Sequence, residues 1–203
     1  MSIKDQSKVI QKKKEKETQL FKAAYELFTT KGANNTAIDD IVKKAGVAKG
    51  TFYLYFKDKY DIINKLILQK SNKIIKEAFV EMKKNELTEI GDMTIFFIDY
   101  VINYFKENKL SLKLINKNFS LGIYRKALLK PDENVEVNEL VEGFIEALVR
   151  IGHTEEDARM TLFMVFELVG SVCYSSIILE EPSDIETMKP FLFKKILALI
   201  KCD

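Results

Sequence analysis

At 203 residues, 47% apolar and 31% charged, the chain is long enough to bury a core and too apolar to remain disordered. Two cysteines exclude a disulfide framework and favour a reducing compartment, so a cytoplasmic location is expected. The net charge of +2 hides an asymmetry: residues 1–59 hold 13 Lys against 7 Asp and Glu, and residues 60–203 hold 19 Lys and Arg against 23 Asp and Glu. A basic end on an acidic body points to a polyanionic partner for that end.

The first 17 residues are lysine-rich without an apolar period, which predicts a basic arm, and they lack the apolar stretch of an export signal. Leu20, Ala24, Leu27 and Phe28 then recur at helical spacing until Gly32. Thr36 to Asp39 fits a capping box, with Asp39 as partner of Thr36, opening a short helix on Ile38, Ile41 and Val42 that Gly46 ends. A third short helix is predicted over about Ala48–Phe56, and Asp58 caps a fourth running towards Met82. Helices follow over Glu89–Glu107, Ser111–Leu129, Val135–Ile151 and from Thr154 to about Glu180. Ser183 to Glu186 repeats the capping-box pattern with Pro190 soon after, so a turn is expected there and the main last helix from about Lys189. No segment alternates with the period of a strand. The expected fold is all-α: a basic arm over 1–17, a three-helix helix-turn-helix domain over 18–62, and a helical effector-binding and dimerisation domain over 63–203.

The stretch AGVAKGTFYLYFKDK (Ala45–Lys59) carries the strongest functional signal. Phe52 and Phe56, four apart, share a face that can enter a core with Leu27, Phe28, Ile41 and Val42. Lys49, Gly50, Tyr53 and Leu54 then fall on the opposite side. Two short helices around a glycine turn, the second with an exposed polar and aromatic face, match a helix-turn-helix. Gly50 lets a backbone approach a base or phosphate, Lys49 can donate to guanine or phosphate, and Tyr53 and Leu54 can meet thymine methyls. Thr51, Tyr55 and Lys59 suit phosphate contacts at the groove edges.

The segment FKAAYELFTTKGANNTAIDDIVKKAGVAKGTFYLYFKDKYDIINKL resembles the DNA-binding domain of the TetR family of transcriptional regulators, over roughly residues 18–66. The resemblance implies a homodimer reading a pseudopalindromic double-stranded operator, a small-molecule pocket in the C-terminal body, and dimerisation through the last two long helices. By position it assigns base contacts to Lys49, Gly50 and Tyr53, and phosphate contacts to Thr36, Thr51, Tyr55 and Lys59; Leu54 fits either role. Asp39 stands where some relatives carry a basic base-reading residue, so the second helix is expected to read less.

Enzyme chemistry finds no support in the pattern. The single histidine, His153, falls between two predicted helices, Cys173 sits in an apolar run, and no phosphate-binding glycine loop, cofactor motif or metal cluster is recognisable. The apolar run Thr161–Leu179 has the length of a membrane span, but Glu167 near its middle favours a helix buried in a dimer interface. Gly170, with Phe163, Phe166, Tyr174 and Ile177 nearby, would permit close approach of a partner helix. Phe96, Phe97, Tyr100, Val101, Tyr104 and Phe105, with Asn118, Phe119, Tyr124 and Phe144, supply apolar walls and a few polar groups for an effector. Tyr100, Tyr104, Phe119 and Glu167 are the expected contacts for an apolar, aromatic or acyl-bearing molecule. The resulting expectation is a ligand-responsive DNA-binding regulator, a repressor released by that effector. The rival readings are a helical DNA-binding protein without an effector and a helical protein-interaction module.

Overall fold

A computed structural model describes residues 3–115 and 135–201. Every regular element among them is a helix. The predicted residues of the segment 116–134, including Asn118, Phe119 and Tyr124, lie outside the described part.

Helix α1 (Ile3–Thr30) begins inside the lysine-rich segment, so the basic residues expected to form a separate arm are the first half of a continuous helix. Lys, Glu and Gln are good helix formers and keep the helix going before any apolar period starts. From Leu20 onward the spacing takes over: Leu20, Ala23, Ala24, Leu27 and Phe28 are buried. Helix α2 (Ile38–Ala45) packs on α1 through Ile41 and Val42. It ends at Gly46, whose φ of 68° is the left-handed turn that glycine adopts without strain. Helix α3 (Lys49–Tyr53) is one short piece, shorter than predicted. Tyr55 and Phe56 still bond back to the Phe52 carbonyl, both at 3.0 Å, so the chain keeps turning to Phe56.

Asp58 caps helix α4 (Lys59–Lys84) as expected: its carboxylate accepts from the Tyr60 and Asp61 amides at 2.7 and 2.9 Å. The chain divides into two compact units, Met1–Ile67 and Leu68–Asp203, and α4 contributes to both cores. Ile62, Ile63, Leu66 and Ile67 are buried in its first half; Ile74, Ile75, Ala78 and Met82 are buried in its second.

The second unit continues with α5 (Ile90–Glu107), α6 (Lys109–Ile115), α7 (Val135–Arg150), α8 (Glu155–Tyr174) and α9 (Ile185–Ile200). Helix α8 packs against α7 and α9 and is prolonged by a wide π-helical turn, Ser175–Leu179. Thr154 caps α8 by accepting from the Asp157 amide at 3.1 Å. A strut joins α9 to α5: the largely covered Lys189 ammonium lies 2.6 Å from Asp99 and 3.2 Å from the Asn103 side-chain oxygen.

The last helix departs from the sequence expectation. It starts at Ile185, and Pro190 lies inside it. Asp184 sets that start, accepting from the Glu186 and Thr187 amides at 2.9 and 3.1 Å. Pro190 is the sixth residue of this helix, so its missing amide leaves the Glu186 carbonyl without its intrahelical donor. The Asp184 cap with the buried Ile185 and Leu192 holds the early start against that loss.

The Thr187 hydroxyl and then its amide hold the Asp184 carboxyl below its ordinary value. The folded value lies below the unfolded one, so the cap's contribution is present above the unfolded value and is lost as pH falls through the folded one. Asp184→Ala should lower the unfolding midpoint at neutral pH, and the gap to wild type should close below about pH 4. Equal midpoints at neutral pH would remove the cap from the account.

Candidate functional site

In the first unit the exposed face of α3 is fixed by what lies behind it. Phe52 and Phe56 are buried with ring centroids 5.3 Å apart, and Phe56 meets Phe21 edge-on at 5.1 Å. With those rings turned inward, helical geometry leaves Lys49, Gly50, Tyr53 and Leu54 outward, Tyr53 52% and Leu54 79% exposed. The Tyr55 hydroxyl donates to the Lys13 carbonyl at 3.0 Å, tying the loop after α3 to the basic half of α1. Lys59 reaches the Asn34 carbonyl at 3.4 Å, and Thr51 and Tyr55 are half-buried beside the exposed set. Lys65 donates to the Tyr55 carbonyl at 3.0 Å, pairs with Asp61 at 3.3 Å and lies over the Phe56 ring.

Two positions differ from the sequence expectation. Thr36 is 1% exposed, and its hydroxyl donates to the Gly32 carbonyl at 2.8 Å. It closes the turn after α1 and faces the interior, away from any phosphate. The α2 cap is displaced by one residue: Asp40 accepts from the Ala37 amide at 3.2 Å, and Asp39 is not the partner of Thr36. Asp39 instead projects towards α3 and pairs with Lys49 at 2.8 Å. The hydrogen bond that Lys49 donates to Asp39, reinforced by the carboxylate's charge, raises the Lys49 pKa. Both side chains are more than half exposed, so the pair contributes little to folding.

Gly50 has no internal explanation. A Cβ placed there would meet no heavy atom within 4 Å, so neither packing nor a positive φ demands a glycine. A bare backbone in the middle of a basic exposed face leaves room for something outside the chain.

The second unit contains an apolar cavity of about 260 Å³. Its walls come from α4 (Ile75, Phe79, Met82), α5 (Ile90, Met93, Thr94, Phe97, Ile98, Val101), α7 (Val137, Leu140, Gly143, Phe144, Ala147) and α8 (Leu162, Val165, Phe166, Val169). Polar groups are few. The Thr94 hydroxyl donates to the Ile90 carbonyl at 2.7 Å, which leaves it free only as an acceptor. Glu139 is the charged residue among the walls, and the Lys83 ammonium lies 4.3 Å from the centroid of Phe79.

Phe97, Val101 and Phe144 stand where the sequence placed apolar walls, but the expected effector contacts do not. Tyr104 lies beyond Val101 towards the end of α5, and Tyr100 falls outside the cavity-facing arc, off the walls. Burial first, and then the charges of Glu77 and Glu81, raise the Tyr100 pKa, so it faces α4 instead. Glu167 is exposed and lies on the side of α8 opposite Leu162, Val165, Phe166 and Val169. Phe119 belongs to the segment outside the described residues. The walls from α4 are not among the sequence expectations, because nothing in a single sequence separates a wall from a core position.

The outer side of α8 carries Phe163, Gly170 and Tyr174, all half-buried, beside the exposed Glu167. Met160 and Met164 stand 55% and 44% exposed nearby, with Leu179 at 51% and Phe191 of α9 at 65%. Ile177, expected on this side, is 3% exposed. The π-helical turn advances each residue by less than an α-helical step and brings Ile177 round to the core face of Cys173. Phe166 likewise belongs to the cavity. Glu155–Leu179 is long and apolar enough to cross a bilayer by length and composition, but its inner face is occupied by helices α7 and α9.

Cys173 is fully buried, and burial pushes its thiol up to about 12, so it is a packing residue without thiolate character. The His153 ring lies 3.2 Å from the Ile200 carbonyl, a local tie between the α7–α8 loop and the end of α9. Among the described residues no cluster of His, Cys, Asp or Glu could hold a metal ion.

Residues 20–66 match the family model described as bacterial regulatory proteins, tetR family. The fatty acid metabolism regulator protein of Bacillus subtilis is 26% identical over 195 residues, covering 87% of this chain and 91% of that protein. An uncharacterised HTH-type regulator of the same organism, YvdT, is 52% identical over 44 residues, covering 22% of this chain and 23% of its own length. The structure of the fatty acid degradation regulator FadR from Bacillus halodurans shares the fold, with a TM-score of 0.61 and 22% identity over 89% of this chain and 93% of that one. The FadR of Bacillus subtilis, solved in complex with stearoyl-CoA, superposes with a TM-score of 0.57 and 21% identity over 90% and 98%. The basic helix-turn-helix matches the tetR family model over residues 20–66, and the whole chain shares the helical fold of these bacterial regulators.

Proposed function

We propose that the protein is a cytoplasmic, homodimeric repressor that leaves its operator when an acyl-bearing molecule enters the cavity of the second unit. The observation that carries this reading is the coexistence, in one chain, of an outward basic α3 face in the first unit and an apolar cavity in the second, with helix α4 contributing to both units. An apolar cavity of about 150 Å³ is enough to hold benzene, so this one has room for a larger hydrocarbon group. The relatives named for fatty acid metabolism, one of them solved with stearoyl-CoA, support an acyl chain over other apolar groups. Lys83 beside Phe79 offers a cation for an anionic head outside the walls. Fluorescence anisotropy of operator fragments selected from the source genome, titrated with acyl thioesters and free fatty acids, tests the reading. Acyl-dependent release is expected; release by none of them would refute the effector assignment.

On the DNA side, Lys49, Gly50, Tyr53 and Leu54 enter the major groove in this reading, and Thr51, Tyr55 and Lys59 hold phosphates. Gly50→Ala separates this role from folding. Alanine is the better helix former, so stability should hold or rise by up to about 1 kcal/mol. The added methyl should obstruct the backbone's approach and cut operator affinity by about tenfold or more. Unchanged affinity in a stable variant would take Gly50 off the DNA face.

Asp39 competes with DNA for Lys49. Removing its charge by Asp39→Asn should tighten binding and steepen the dependence of log affinity on log salt by about one ion. An unchanged slope would mean that Lys49 does not replace Asp39 with a phosphate.

The exposed apolar side of α8 and α9, with Met160, Phe163, Met164, Gly170, Tyr174 and Phe191, is covered by a second copy in this proposal. A two-fold pair also matches two operator half-sites. Gly170→Glu should split the dimer by placing like charges near the axis. A wild-type protein sedimenting as a monomer at micromolar concentration would contradict it.

A further inference from the structure

Three glycines in helices have different reasons to be glycine. A Cβ at Gly91 would lie 3.1 Å from Leu197, so its bareness serves the packing of α5 on α9. Gly50 faces outward, where DNA is proposed to bind. Gly143 is in the middle of α7 and on the cavity wall, and a Cβ there would meet nothing within 4 Å. Glycine is the poorest helix former after proline, and neither packing nor a left-handed φ calls for one at 143. Its neighbours on the wall, Leu140, Phe144 and Ala147, carry side chains of graded size. Gly143 is itself exposed, and as a wall residue it leaves open space that an occupant of the cavity can fill.

We propose that Gly143 is a specificity-determining position that sets the length of acyl chain the cavity accepts; this rests on the acyl-effector reading above. If about 150 Å³ holds the six carbons of benzene, the 260 Å³ here holds about ten. The terminal carbons of a medium-length chain occupy the cavity, and longer chains must leave carbons outside it. Among the described residues no lysine, arginine or histidine lines the cavity, and Glu139 would repel a carboxylate, so in this proposal the hydrocarbon end enters and the head stays outside.

Isothermal titration of the full-length protein with saturated acyl-CoA thioesters of six to eighteen carbons, and with the matching free acids, tests this. Affinity should rise about fourfold per methylene, the equivalent of burying each one, and level off or fall beyond about ten carbons. Agreement of the two series in optimum would assign selection to the chain, and a constant offset between them would report the head group. Gly143→Leu adds four carbons to the wall and should move the optimum about four carbons shorter, with Gly143→Ala giving a smaller shift in the same direction. Thermal melting checks that each variant is folded, and the alanine variant, the better helix former, provides the comparison if the leucine variant is not. An optimum at sixteen or eighteen carbons, or one that neither folded variant moves, would overturn the role of Gly143 while leaving an acyl effector in place. Binding of no member of either series would overturn the effector reading and this inference together.

Discussion

Helix α4 is the constraint on which both functional regions depend. It is one uninterrupted helix, started by the Asp58 cap immediately after the α3 turn and running to Lys84. Its first half supplies Ile62, Ile63, Leu66 and Ile67 to the core behind the helix-turn-helix. Its second half supplies Ile75, Phe79 and Met82 to the cavity wall. A molecule in the cavity therefore touches the same hydrogen-bonded rod that anchors the DNA-binding core. In the proposed function, a ligand that favours one arrangement of α4 changes operator affinity, and DNA then changes ligand affinity by the same factor.

The two regions use opposite chemistry. The α3 face is charged and open, and its pairs are weak by design of their exposure: Lys49 and Asp39 are held by an interaction that a phosphate can replace. The cavity is apolar and partly open, and an apolar occupant would gain affinity from each methylene removed from water. Each unit also has stiffer internal contacts: the buried Phe52 and Phe56 pair in the first, and the Lys189 strut to Asp99 and Asn103 in the second. Those contacts have no role in either recognition event.

Much of this was legible in the residues. The four-residue spacing of Phe52 and Phe56 fixed which side of α3 faces out, and the acid at Asp58 located the start of α4. Where the reading failed, it failed by small phase errors with large consequences. One residue's displacement moved the α2 cap from Asp39 to Asp40 and released Asp39 to pair with Lys49. A single π-helical turn carried Ile177 from the outer side of α8 into the core. Tyr100, Tyr104 and Glu167 were chosen for their chemistry, but helix phase and position along the axis decide what reaches a cavity. Gly143 carried no signal at all in the sequence, because a glycine in a helix declares itself only when the space beside it is known to be empty.

The most direct test is reciprocity between the two sites. The affinity of decanoyl-CoA is measured by titration calorimetry for the free protein and for the protein saturated with operator DNA, and operator affinity is measured by anisotropy with and without saturating decanoyl-CoA. The expected result is that each partner weakens the other by the same factor, at least about fivefold, the lower range of allosteric coupling. Tight decanoyl-CoA binding that leaves operator affinity unchanged would contradict the claim that the cavity and the DNA-binding face are joined through α4.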